Sequence, residues 1–179
     1  RELTIMLIID VSGSTDFGTT ERTKRDLALE TSAILAFSAI ENNDKVGALF
    51  ISDKVEKYIA PEKGKKHTLL ILRELMGLVP RSKGTNLSEG LKFLRNTQKK
   101  RTISFVISDF SDDPNFIDSM RLTAKRHDTI AIRLKDQAEE LLPDMGIVSL
   151  FNAEMNSKSW VNSSNEAVRE RFAAQYQER

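Results

Sequence analysis

Cysteine is absent from the 179 residues. Its absence excludes disulfides, thiolate metal sites and cysteine nucleophiles together, and it fits a reducing, cytoplasmic setting. Histidine occurs only at positions 67 and 127, each read at a helix end in a capping or surface role. Neither charge sign is in excess: 27 Lys+Arg oppose 26 Asp+Glu, a net +1, so no global field draws nucleic acid or an anionic membrane. The densest basic stretches, Lys63-Gly64-Lys65-Lys66 and Lys99-Lys100-Arg101, read as a solvated loop and helix end. No apolar run approaches the roughly 20 residues that span a bilayer, and no signal segment opens the chain, so no direct membrane contact is expected. Glycine at positions 13 and 18 is too sparse for a dinucleotide loop, and no Gly-x-x-x-x-Gly-Lys-Ser/Thr segment occurs.

What is present fits one domain spanning 1–179, with 40% hydrophobic and 30% charged residues. Because Arg1 stands directly before a buried strand, the expectation is the C-terminal part of a longer chain, with any membrane anchor upstream. Ile5 to Ile9 is an apolar run buried on both faces, closed by Asp10. A helix over about 21–41, capped by Thr19-Thr20-Glu21-Arg22, carries Leu27, Ile34, Leu35, Phe37 and Ile40 at helical spacing. Val46 to Ile51 is a second buried strand, and Val55 to Ile59 alternates like an antiparallel edge. Pro61 to Lys66 reads as a loop, His67 to Leu78 as a helix with Leu69, Leu70, Leu72, Leu75 and Met76 on one face, and Leu87 to Gln98 as another helix. Thr102 to Ser108 is a third buried strand, followed by helix 115–127 and strand 129–134. A short helix 136–142, a hairpin from Ile147 to Asn162 and a helix over 165–175 with Val168, Phe172 and Ala173 inward complete the chain. Trp160 in that hairpin is expected to anchor the last helix. Alternating strands and helices imply an α/β fold, an open, mostly parallel twisted sheet with helices on both faces and one antiparallel edge strand.

Two of these strands end in polar bursts, Asp10-Val11-Ser12-Gly13-Ser14 and Asp109-Phe110-Ser111-Asp112-Asp113. Alone, each is more often a turn or cap than a site. Ligands of such sheets, however, bind beyond the strand carboxyl ends where the strand order reverses. If the two strands are neighbours there, Asp10 and Asp109 face each other, and Thr85, two residues before a helix, overhangs the same crevice. Carboxylates and hydroxyls without sulfur or imidazole are hard donors, suited to Mg²⁺, Mn²⁺ or Ca²⁺.

Asp10-x-Ser12-x-Ser14 after a hydrophobic strand, Thr85 in a Gly-Thr loop and Asp109 closing a later strand together resemble the metal-ion-dependent adhesion site of von Willebrand factor A-type domains. Ser38-Ala39-Ile40 to Val46-Gly47, Gly84-Thr85, Ser108-Asp109-Phe110 and the stretch from Glu139 through Trp160 to Arg171 resemble most closely the bacterial domain-of-unknown-function family 58 (DUF58). The resemblance implies that Ser12, Ser14 and Thr85 ligate a divalent ion, Mg²⁺ by preference, with Asp10 and Asp109 bound directly or through water. It implies a coordination position open to an acidic side chain of a protein partner, and a MoxR-type AAA+ ATPase as that partner in chaperone or assembly tasks. Thr15-Asp16-Phe17-Gly18 and Ser-Asp-Phe depart from the apolar residue and Thr-Asp-Gly of many relatives, but no ligand is lost. Asp16, Asp112 and Asp113 read as loop acids or a helix cap. A metal-dependent phosphoester hydrolase is the rival expectation, disfavoured because Ser12 stands where an Asp-x-Asp motif needs its second acid and no His lies nearby. A metal-free scaffold is the third.

Overall fold

A computed structural model describes residues 2–16, 23–82, 84–111, 116–135, 144–152 and 157–177. Five strands, β1 (Thr4–Asp10), β2 (Lys45–Ile51), β3 (Val55–Glu62), β4 (Ile103–Ser108) and β5 (Asp128–Arg133), form one sheet in the order β3-β2-β1-β4-β5. β2, β1, β4 and β5 run parallel, and β3 closes one edge antiparallel to β2. β6 (Ile147–Asn152) and β7 (Ser157–Asn162) pair as a separate antiparallel hairpin.

The central strand shows why both faces need covering. Leu7 and Ile9 of β1 belong to a core with Ala28, Ala36, Ile71 and Leu75, drawn from α1 (Lys24–Glu41) and α2 (Lys65–Gly77). Met6 and Ile8 belong to a second core with Leu87, Leu91 and Leu94 of α3 (Leu87–Thr97), onto which Phe116 and Met120 of α4 (Phe116–Ala124) pack. Successive side chains of a strand point to opposite faces, so a continuous apolar run is what a sheet sandwiched between helices requires. α3 approaches closely at Gly90, where a Cβ would lie 2.7 Å from Ile51 Cγ2. The chain ends in α5 (Glu166–Gln177), in which Val168 and Ala173 are half-buried. No helix among the described residues is long and apolar enough to cross a membrane.

Several local expectations are corrected. α1 is capped by Thr23, not by the Thr19–Arg22 stretch: its hydroxyl accepts from Asp26 N, and the Asp26 carboxylate accepts from Thr23 N, a reciprocal box. The inward face of α1 is small, with Ala28, Ser32, Ala36 and Ala39 buried, while Ile34 and Phe37 are exposed. In α2, Ile71 is buried and Leu69 and Met76 face solvent. Pro61 lies within β3, tolerated because an edge strand needs no donor on its outer side. Trp160 is 73% exposed, so it is not buried as an anchor for the last helix. His127 is buried rather than on the surface. The helix expected over 136–142, Asp112 and Asp113 lie outside the described residues.

Candidate functional site

The chain leaves β1 first for β2 on one side and later for β4 on the other, so strand order reverses between β1 and β4. Asp10 ends β1 and Asp109 follows the end of β4, so both stand at the carboxyl ends of these neighbouring strands. Asp10 is 1% exposed. Its Oδ1 accepts from Ser12 N at 2.9 Å and its Oδ2 from Ser108 Oγ at 2.6 Å, which ties the end of β1 to the end of β4.

After Asp10 the chain turns through a 3₁₀ segment, Gly13–Asp16, in which Thr15 donates from both N–H (3.1 Å) and hydroxyl (2.7 Å) to Ser12 O. The fold-back brings Ser12 Oγ within 3.0 Å of Ser14 Oγ. Ser14 in turn hydrogen-bonds Asp109, whose Oδ1 also accepts from Ser111 N at 3.1 Å. Asp109 Oδ2 accepts from Lys24 Nζ at 2.6 Å, with both side chains buried. Asp10, Ser12, Ser14 and Asp109 thus form one hydrogen-bonded cluster at the predicted crevice.

Thr85 reaches the same end of the sheet by a different anchor. Asn86 N donates to Ser52 O just beyond β2, and Glu56 Oε1 accepts from Ser52 Oγ (2.6 Å), Arg81 N (3.0 Å) and Ser82 N (3.3 Å). Arg81, Ser82 and Asn86 are therefore fastened to the β2–β3 turn, beside the end of β1, and Asn86 caps α3 through Glu89 N.

The two carboxylates are electrostatically unlike. Burial pushes Asp10 up to about 6, with the neighbouring Asp109 charge adding to the rise against the hydrogen bonds from Ser108 and Ser12. Burial would raise Asp109 as well, but the Lys24 ammonium outweighs it and holds the carboxyl below its usual range. Lys24 and Ser108 are the members that sequence reasoning missed. Lys24 carried one signal, a cation in the first turn of a helix, where the helix dipole disfavours it. Ser108 carried none beyond its place in the Ser-Asp-Phe motif.

The donor set suits a hard divalent ion. Among the described residues no group of three or more His, Cys, Asp or Glu gathers as a metal site, so any ion here depends on the hydroxyls. Adjacent ligands of octahedral Mg²⁺ at its usual bond lengths stand about 2.9 Å apart, and Ser12 Oγ and Ser14 Oγ are separated by 3.0 Å. Asp10, whose two oxygens accept from Ser12 N and Ser108 Oγ, and Asp109, which accepts from Ser111 N, Lys24 and Ser14, each retain at least one lone-pair site. Both histidines lie at the opposite end of the sheet: His67 Nε2 is 3.0 Å from Val46 O, and His127 Nδ1 is 3.0 Å from Thr102 Oγ1. Phe110, following Asp109, adopts φ 55°, a left-handed conformation uncommon for a bulky residue. Its ring turns back onto Phe116, 5.6 Å away between centroids, and joins the α3/α4 core.

Comparison with known proteins agrees with this architecture. An aerotolerance-related membrane protein from Bacteroides fragilis superposes with a TM-score of 0.67 at 14% identity, over 98% of this chain and 88% of the other. BatB from Bacteroides thetaiotaomicron superposes with a TM-score of 0.62 at 13% identity, over 98% and 87%. At such identities these likenesses speak to fold. Rv1480 of Mycobacterium tuberculosis and Mb1516 of Mycobacterium bovis are each 33% identical over 156 residues, 86% of this chain and 49% of theirs. The chain therefore spans about half the length of the curated relatives it matches. The mostly parallel five-stranded sheet covered by helices is thus a fold shared with these solved structures. The family model described as "Protein of unknown function DUF58" matches residues 1–179, and the chain belongs to that family.

Proposed function

We propose that the protein is a metal-ion-dependent protein-binding module. Ser12, Ser14 and Thr85 hold a divalent cation, Mg²⁺ by preference over Mn²⁺ or Ca²⁺, with Asp10 and Asp109 ligating directly or through water. The observation that carries this reading is the 3.0 Å approach of Ser12 and Ser14 hydroxyls between two buried carboxylates at the β1/β4 crevice. When bound, the ion supplies a Lewis-acidic position for one carboxylate of a partner protein. The chain's own residues hold the ligands in place: Ser108 fixes Asp10, Thr15 fixes the Ser12–Ser14 turn, and Glu56 fixes the loop that carries Thr85. By family resemblance the partner is a MoxR-type AAA+ ATPase, and the task is chaperoning or assembly.

A hydrolytic reading is weaker on the same geometry. Among the described residues, both Asp10 oxygens accept hydrogen bonds from Ser12 and Ser108, Asp109 is paired with Lys24, and both histidines lie at the far end of the sheet, so no described histidine faces the crevice as a general base. Mg²⁺ should raise the melting temperature of the purified protein through linkage, and Asp10→Ala should abolish the rise. Identical melting curves in Mg²⁺ and in chelator would defeat the metal reading. A MoxR-type ATPase that binds equally well in chelator would leave a metal-free scaffold.

A further inference from the structure

Lys24 breaks two rules at once. It occupies the first position of α1, where the helix dipole already places positive potential, and it is 2% exposed although lysine is almost never fully buried unless paired. Its ammonium lies 2.6 Å from Asp109 Oδ2, and its stem bridges from the α1 N-terminus to the end of β4 across 85 residues of sequence. Residues that violate local preferences inside an otherwise consistent fold are where functional demands are expected.

Charge counting over the described residues shows what such a lysine does. With Asp10 and Asp109 ionised, Lys24 leaves these three residues with one net negative charge, and a divalent ion would bring them to +1. Without the lysine the loaded site would be neutral. We propose that Lys24 is a tethered internal cation that positions Asp109 and sets the charge of the ion site, holding divalent affinity down so that the loaded site keeps a net positive charge for an incoming partner carboxylate. This rests on the ion-site reading above and extends it to a residue outside the donor set. The same lysine keeps Asp109 paired when no ion is bound, since a buried carboxylate left alone is strongly destabilising.

The experiment is a Mg²⁺ and Mn²⁺ titration of the purified protein by calorimetry, with melting curves in chelator and in ion, on wild type, Lys24→Met, Lys24→Arg, Asp10→Ala and the double variant Lys24→Met/Asp109→Asn. Removing a unit charge this close to a divalent ion should tighten binding about tenfold or more even with water-like screening, so Lys24→Met is expected to bind ion more tightly than wild type. In chelator it should melt lower, and ion should restore most of that loss. Lys24→Arg, which keeps the charge, should bind like wild type. The double variant, relieved of the unpaired carboxylate, should melt higher in chelator than Lys24→Met and should lose the tightened binding. Folded Lys24→Met that binds ion no better than wild type, or a double variant that binds as tightly as Lys24→Met, overturns the role of Lys24 while the ion site stands on the contrast between wild type and Asp10→Ala. Absence of ion binding by both wild type and Lys24→Met overturns the ion site and this inference together. Binding by Lys24→Met alone overturns the loaded wild-type site on which this inference rests.

Discussion

Asp10 ties the proposed site to a measurable pH dependence of folding. In the absence of ion its carboxyl is held at about 6, against an ordinary value of 3.8, chiefly because the folded chain buries it. A raised acid binds its proton more tightly in the folded state than in the unfolded one. Its contribution to stability is therefore full at acidic pH and is lost as pH rises from about 4 through about 6. At about 1.36 kcal/mol per pH unit, a rise of this size corresponds to about 3 kcal/mol, an upper figure for a single group. Asp109 works in the opposite sense: its lowered carboxyl contributes stability that disappears as pH falls below its unfolded value, a window beneath that of Asp10. His127, lowered by burial and by the nearby Arg126, Arg95 and Arg101, also runs opposite to Asp10, because the folded state resists its protonation below about 6.5. The clean quantity is consequently the difference between wild type and Asp10→Asn, measured by urea unfolding in chelator from pH 4.5 to pH 7.5. It should shift against the wild type by about 2 kcal/mol across that range. Mg²⁺ reverses the sign, because the ion binds the carboxylate and competes with the proton. Its stabilisation of wild type should grow through pH 6 and be small at pH 4.5. A wild-type minus Asp10→Asn difference that is flat with pH in chelator, or one that rises toward neutrality, would refute the assignment of a buried, proton-retaining Asp10.

Two further outcomes follow from how the site is built. Glu56→Ala removes the acceptor shared by Ser52, Arg81 and Ser82; it should cost about 1–3 kcal/mol and weaken Mg²⁺ binding about 10-fold or more by freeing the Thr85 loop, which hydrogen exchange over residues 81–86 would register as lost protection. Gly90→Val places branched carbons where even a Cβ would lie 2.7 Å from Ile51 Cγ2; overpacking α3 against β2 should lower stability by about 1–3 kcal/mol in urea unfolding, and unchanged stability would show that α3 is not held that close.

Strand positions were legible because a parallel strand buried on both faces leaves a run such as Ile5 to Ile9 that few other structures produce. Which face of a helix is buried was less so. α1 lies against the β1 and β2 side chains through Ala28, Ser32, Ala36 and Ala39, with Leu27 and Leu35 packed beside them, whereas Ile34 and Phe37 point outward, so counting big apolar residues finds the buried face only in part. Small residues facing a sheet allow close approach, and packing density outweighs side-chain hydrophobicity there. The site divides along the same line. Asp10, Ser12 and Ser14 are local in sequence, and their turn is encoded within five residues. Asp109 joins them because β1 and β4 are neighbours, which the switch-point rule anticipates. Lys24, Ser108 and Glu56 act across separations of 85, 98 and 25 or 26 residues, and no local pattern announces such partners. These long-range contacts hold the legible donors at working distance. The departures from local preference therefore mark the mechanism more sharply than the motif does: a lysine at the positive end of a helix, buried against an acid, is retained only where the ion pair it makes is worth more than the preferences it breaks.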